Sequence, residues 1–283
     1  MRLLAISDLH IDHAVNLRAV EAMPHCPDDW LIVAGDIGHT PERIEQAFRL
    51  LTPRFRQLVW VPGNHDLWTV PKDVSGLRGV HLYKEIVALA RAHGVLTPED
   101  PYATFKHPSG PLLIVPLFLL YDYSFRPDTV PLSEVVAWAD ARKCVCSDEY
   151  FLHPNPFPSR IAWCEARCRA TLKRLSDLPL GVPTVLINHY PLKQRLAVLP
   201  RIPRFTPWCG TTQTEDWHIR FSARAVIYGH LHIRQSRWVD GVPFQEVSLG
   251  NPKQWDQDVG IDGYLNEVIL APPHRTVVGQ ARA

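Results

Sequence analysis

Short apolar runs recur along the chain, and at most of their C-terminal ends the pattern breaks into glycine, carboxylate or imidazole. The runs "RLLAIS" (2–7), "WLIVAG" (30–35) and "QLVWVPG" (57–63) are of strand length and apolar on consecutive positions, which predicts strands buried on both faces. Between them lie helix-type segments, "VNLRAVEAM" at 15–23 and "PERIEQAFRLL" at 41–51. Thr40 suits the cap of the second and Pro41 its first helical position. A β-α-β-α-β series of this kind predicts a largely parallel sheet at the start of the fold.

The stretch from about 71–158 is less regular and rich in Pro, Tyr and Phe, with helical segments near 82–93 and 132–143 around the apolar run "PLLIVPLFLL" at 111–120. It reads as an elaboration hung on the core. A longer helix follows at 159–177, then the strands "PTVLIN" and "RAVIYG", then alternating runs "SRWV", "FQEVSL" and "YLNEVIL" of antiparallel type. No repeat or linker divides the chain, so the expectation is one domain over 1–283 with an elaboration at about 71–158.

The polar residues just past the strands carry the chemistry. Asp8-Leu9-His10 follows the first, Gly35-Asp36 the second and Gly63-Asn64-His65-Asp66 the third; Asn188-His189 and Gly229-His230-Leu231-His232 follow the later pair. In open α/β sheets ligands bind beyond the carboxyl ends of strands, so five turns scattered from residue 8 to residue 232 are expected to converge. Two aspartates, an asparagine and several imidazoles form a mixed oxygen and nitrogen donor set for one or two divalent metals. If the backbone is extended, residues two apart point the same way, so Asp8 and His10, and His230 and His232, would each address the metals as a pair. Asp36, alone on the middle strand, is the natural bridge between two ions. Asn64 supplies oxygen without cancelling the positive charge that attracts phosphate.

Composition works mainly by exclusion. A chain of 283 residues that is 46% hydrophobic and 21% charged is a folded protein, and 30 Lys+Arg against 29 Asp+Glu argues against long nucleic acid as the partner. Polar residues interrupt the N-terminal apolar run at Ser7, and the run at 111–120 is short and holds Pro116. Neither reads as a signal core or a membrane span, which predicts a cytoplasmic protein with no membrane partner. The six cysteines are expected as free thiols, the alternative being a structural zinc on Cys144, Cys146, Cys164 and Cys168.

As an ordered set, "DLH", "GD", "GNHD", "NH" and "GHLH" closely resemble the motifs of the calcineurin-like metallophosphoesterases, and all five are complete. The resemblance implies an α/β fold, a four-layer α/β/β/α sandwich, with two divalent ions (Mn, Fe, Zn or Mg, with Mn favoured) at the strand ends. Carried over position by position, Asp8, His10, Asp36 and His232 would hold one ion, and Asp36, Asn64, His189 and His230 the other. His65 would meet the substrate phosphate or leaving group, and Asp66 would hydrogen-bond His65 and fix its orientation. The implied reaction is hydrolysis of a phosphodiester or phosphomonoester by a metal-bridging hydroxide.

Around this set stand weaker candidates. His39 reads equally as a substrate contact, a group behind the ligands or an ordinary loop residue; Trp68, Tyr121 and Tyr123 could wall a substrate pocket or pack the elaboration. They favour a small, nucleotide-like phosphate ester. Alternatives are a protein phosphatase or nuclease of the same family, or a non-catalytic metal-binding scaffold, which would predict a broken ligand set.

Overall fold

Side chains within each buried strand alternate between two apolar environments, and that alternation builds the fold. The computed structural model describes residues 1–71 and 76–272. In chain order, β1 (Leu3–Ile6), α1 (Ala14–Glu21), β2 (Cys26–Val33), α2 (Pro41–Leu51) and β3 (Phe55–Trp60) form the expected opening series, with all three strands parallel. Thr40 caps α2 by accepting from the Arg43 N–H, and Pro41 is its first residue.

After α3 (Gly79–Ala92), the chain enters a second sheet through β4 (Ala103–His107) and β5 (Gly110–Pro116). The short α4 (Val135–Asp140) and α5 (Asp148–Phe151) and the long α6 (Arg160–Ser176) precede β6 (Thr184–Ile187). Then come α7 (Trp217–Arg220), β7 (Ala223–Tyr228), β8 (Gln235–Val239), β9 (Val242–Glu246) and β10 (Asn266–Glu267). One sheet has the order β10-β1-β2-β3 and the other β4-β5-β6-β7-β9-β8. The late strands are only partly antiparallel as expected: β8 pairs that way with β9 and β10 with β1, but β9 runs parallel to β7.

Leu3, Ala5, Ile32, Val59, Ile114, Val185, Ile187, Ala225 and Ile227 meet in the core between the sheets. Their strand neighbours Leu4, Ile6, Leu31, Val33, Leu58, Trp60, Leu186 and Val226 face outward and join Val20, Ile44, Phe48, Leu82 and Ile86 from helices. The result is the α/β/β/α sandwich, with every buried strand sealed on both faces.

Because α3, β4 and β5 belong to this framework, residues 117–158 are the part of the expected 71–158 that stands outside it. The Pro108-Ser109-Gly110 turn between β4 and β5 gave that region its irregular look. Residues 72–75, part of that expectation, and 273–283, the end of the expected domain, lie outside the described residues. The apolar run at 111–120 leaves the ladder at Pro116, although Leu117, Phe118, Leu119 and Leu120 stay buried. No helix among the described residues is long and apolar enough to cross a membrane.

Candidate active site

The turns after β1, β2, β3, β6 and β7 bring their polar residues together. His232 Nε2 lies 2.9 Å from Asp8 Oδ1 and 3.3 Å from His10 Nε2. Asp36 Oδ2 lies 3.4 Å from His189 Nε2, 4.0 Å from His10 Nε2 and 3.9 Å from His65 Nε2. Asn64 Oδ1 is 3.1 Å from His189 Nε2 and 3.2 Å from His230 Nδ1. All seven expected ligands thus share one cluster, with Asp36 between its two halves.

The backbone reaches this arrangement differently from expectation. Asp8, His10, Asp36, His230 and His232 have φ of 54°, 43°, 56°, 72° and 54°, the left-handed region that non-glycine residues enter rarely and mostly at functional sites. Asp8 and His10, and His230 and His232, are therefore paired by turns and not by an extended pleat. Backbone bonds continue past β1 and β7, from Asp8 N–H to the Gly35 carbonyl at 2.9 Å, from His10 N–H to the Asp36 carbonyl at 3.0 Å and from Gly229 N–H to the His189 carbonyl at 2.9 Å, and they tie the turns to one another. Two glycines make room for the turns: a Cβ at Gly63 would strike the Asp36 carboxylate, and one at Gly229 would strike Ser7 Oγ and Asp8 Oδ2.

Surrounding groups fix which atom four of the ligands present. His189 Nδ1 faces the Ala34 carbonyl at 2.9 Å and His232 Nδ1 faces Gln254 Oε1 at 2.8 Å, so each donates there and turns Nε2 to the cluster. Asn64 Nδ2 donates to Asp148 Oδ1 at 2.9 Å, which turns the amide oxygen inward. Ser7 Oγ and Ser248 Oγ donate to Asp8 Oδ2 at 2.6 and 2.7 Å and leave Oδ1 free to face His232.

Burial raises the carboxyl groups of Asp8 and Asp36, but facing imidazoles outweigh it and hold both below the usual range. Burial likewise lowers the imidazoles, but Asp36 and Asp8 raise His189 to about 10, and Asp8 raises His232 to about 9. His10 falls to about 4 and His230 to about 3, mainly through burial. The donor set, oxygen and nitrogen without thiolate and oriented from behind, fits divalent cations. Asp8, His10 and His232 form one compact candidate grouping, and Asp8, Asp36 and His189 another.

Asp66 departs from expectation, since none of its hydrogen bonds among the described residues goes to His65. Its carboxylate accepts from the backbone N–H groups of Ile37 at 2.7 Å, Gly63 at 3.0 Å, Asp36 at 3.1 Å and Gly38 at 3.3 Å, and from the Trp60 indole at 3.3 Å. His65–Leu67 is a turn of 3₁₀-helix, on which adjacent side chains do not face each other. Asp66 therefore ties the turns after β2 and β3 together. His65 Nδ1 instead meets His39 Nε2 at 2.8 Å, and its ring lies 3.7 Å from that of Trp68.

A cavity of about 290 Å³ opens over the cluster, with Asp36, Asn64, His65, His230 and His232 at its base and Trp68, Val145, Leu199, Ile202, Phe205 and Leu231 among its walls. Of the four weaker candidates Trp68 alone lines it. His39 sits behind His65. Tyr121 is 0% exposed, and Tyr123 donates to Glu149 Oε1 at 2.6 Å and accepts from Arg160 Nε at 3.1 Å, so both belong to the interior of the 117–158 segment. An aromatic after a strand fills a core as readily as it walls a pocket. All six cysteines are free, and among the described residues none joins a candidate metal grouping.

Asp148, Ser248 and Gln254 were not apparent in the sequence as parts of the site. Ser248 carried a usable signal, since "FQEVSLG" ends in the same way as the ligand-bearing strands. Asp148 carried none. It lies 84 residues from Asn64 in an irregular segment.

A two-sheet sandwich with clustered oxygen and nitrogen donors beyond its strand ends defines a metal-dependent phosphoesterase, and the chain belongs to the calcineurin-like phosphoesterases, whose family model matches residues 1–234. It is 43% identical over 299 aligned residues to "[Acyl-carrier-protein] phosphodiesterase PptH" of Mycobacterium tuberculosis (strain ATCC 25618 / H37Rv), covering 99% of this chain and 92% of that one. The crystal structure of Phosphopantetheinyl Hydrolase (PptH) from Mycobacterium tuberculosis matches with a TM-score of 0.90 at 43% identity, over 100% of this chain and 98% of that one. The protein TT1561 of Thermus thermophilus matches with a TM-score of 0.45 at 15% identity, over 87% and 89% of the two chains. The chain is thus a hydrolase of phosphate ester bonds and not a scaffold, in a family that uses a dinuclear divalent metal site.

Proposed function

We propose that this chain hydrolyses the phosphodiester joining a phosphopantetheinyl group to an acyl carrier protein. The observation that carries this reading is the length of the match: 43% identity runs over 99% of the chain, and so through the 117–158 segment, whose Val145, Cys146 and Ser147 wall the cavity. A substrate linked to protein replaces the small free ester expected from sequence. A cavity of about 290 Å³, polar at its base and apolar at Leu199, Ile202 and Phe205, suits a phosphate carried on a slender, partly apolar arm.

In this reading Asp8, His10, Asp36 and His232 hold one divalent ion, and Asp36, Asn64, His189 and His230 the other. Two such ions, when bound, would supply positive charge to the phosphoryl oxygens and activate water, with Mn proposed as the metal. His65, at the cavity base with Nε2 turned toward the cluster, gives a hydrogen to the departing oxygen. Trp68, held by its indole N–H on Asp148 Oδ1 at 2.7 Å, keeps the His65 ring in place and shields it from water. Asp66 acts by holding the Asp36 turn and does not touch substrate.

The test is incubation of the Mn-loaded chain with phosphopantetheinylated acyl carrier protein, read by mass spectrometry. The expected result is a carrier protein lighter by the phosphopantetheinyl group. A chain that cleaves bis-p-nitrophenyl phosphate but leaves the carrier protein intact overturns the substrate assignment and retains the esterase.

A further inference from the structure

Three groups in line run from the cavity to the surface. His65 Nε2 points into the site, His65 Nδ1 meets His39 Nε2 at 2.8 Å, and His39 Nδ1 faces Asp12 Oδ2 at 3.5 Å. The same Asp12 oxygen accepts the backbone N–H of His39 at 2.9 Å, which locks the carboxylate against this ring. Trp68 lies nearly parallel over both imidazoles, at 27° and 3.7 Å from His65 and at 25° and 5.1 Å from His39. The three groups come from the turn after β1, the turn after β2 and the 3₁₀ turn after β3, so no single sequence motif contains them.

We propose that His39 and Asp12 are positioning residues that hold His65 and resupply the hydrogen it gives to the leaving oxygen. The inference rests on the proposed role of His65 and extends it to two residues outside the family's ligand set. Asp12 only accepts, so His39 Nδ1 carries a hydrogen. With a further hydrogen on His39 Nε2, His65 accepts at Nδ1 and presents Nε2–H to the substrate. When the bond from phosphorus to the leaving oxygen breaks, that oxygen takes the His65 Nε2 hydrogen and the His39 Nε2 hydrogen passes to His65 Nδ1. Both rings end neutral. His10, His39 and His65 could also be read as a third cation site. The 2.8 Å between the His39 and His65 nitrogens is hydrogen-bond distance, and His10 already belongs to the grouping with Asp8 and His232, which favours the relay.

The experiment uses the metal-loaded chain and a series of aryl phosphodiesters running from p-nitrophenyl to unsubstituted phenyl leaving groups, with His65→Ala, His39→Ala, His39→Gln, Asp12→Asn and the His39→Ala/His65→Ala double variant. A leaving group that needs no proton is insensitive to the relay. His39→Ala is therefore expected to lose about a hundredfold in kcat on the phenyl ester and less than about tenfold on the nitrophenyl ester, with Asp12→Asn and His39→Gln between it and the parent. The double variant is expected to be no slower than His65→Ala, because residues acting as one unit are non-additive. Equal losses across the series, or additive losses in the double variant, overturn the relay. If His65→Ala itself shows no dependence on the leaving group, the proton-donor role of His65 falls first; if it does and His39→Ala does not, the relay alone falls.

Discussion

His65→Ala and Asp66→Ala separate two neighbours whose side chains face different ways. His65 lines the cavity, and its ring contacts are with His10, His39 and Trp68. Its removal is expected to cut kcat by about a hundred- to ten-thousand-fold while bound metal, read by elemental analysis, and the urea midpoint stay unchanged. Asp66 accepts four backbone N–H groups and an indole N–H, all buried, and each stranded donor costs about 1–3 kcal/mol. Asp66→Ala is expected to lose at least about 3 kcal/mol in urea unfolding, with the turn bearing Asp36 released. Equal stability of the two variants would sink the anchoring role of Asp66.

At the scale of elements, the site is a property of strand ends. The apolar strands are rigid because both faces are buried, and the turns beyond them adopt left-handed backbone that isolated chains avoid. Gly229 shows how little room remains, since a methyl group there would strike Ser7 Oγ and Asp8 Oδ2. Gly229→Ala is expected to preserve the far-ultraviolet circular dichroism of the sandwich, since Gly229 lies just past the end of β7. Activity should fall about a hundredfold, the usual effect of moving a site group by roughly 1 Å. Near-normal turnover would mean that the turn after β7 moves aside freely and that the packing around Asp8 is not needed.

At the scale of the whole molecule, buried carboxylates and imidazoles make stability depend on pH and metal. Asp36 and Asp8 overcome burial to raise His189 to about 10, and Asp8 does the same for His232, raised to about 9, both above the ordinary value of about 6.5. A raised imidazole stabilises the fold fully below about pH 6.5, and that contribution is lost as pH rises through the folded value. His10 and His230, at about 4 and about 3, finish titrating below that window, and Asp66, raised to about 7 by burial and by Asp36, titrates at its lower edge in the same direction. Chelator-treated protein is therefore expected to melt at lower temperature as pH rises from about 7 to about 10. Divalent ions displace the same protons, so their stabilising effect should grow over this range. The check is thermal melting with Mn and with chelator at several pH values; a gap between the two curves that narrows with pH would contradict it.

The sequence by itself determined the strands, the parallel opening sheet and the five polar blocks, because these depend on local facts: apolar runs of strand length, a capped helix start at Thr40 and Pro41, and a break into polar residues at each strand end. All seven expected ligands then met because the parallel strands β1, β2 and β3 of one sheet and β6 and β7 of the other end on the same side of the sandwich. Tertiary structure decided the orientation and support of those side chains. Asp66 turned to the backbone of the turn after β2, Tyr121 and Tyr123 entered the interior, and Asp12, Asp148, Ser248 and Gln254 came in from other parts of the chain to hold His39, Asn64, Asp8 and His232. Hydrogen bonds between residues up to 240 positions apart leave no periodicity in the chain. A carboxylate that orients a ligand is the same residue type as one that faces water, and only packing distinguishes them.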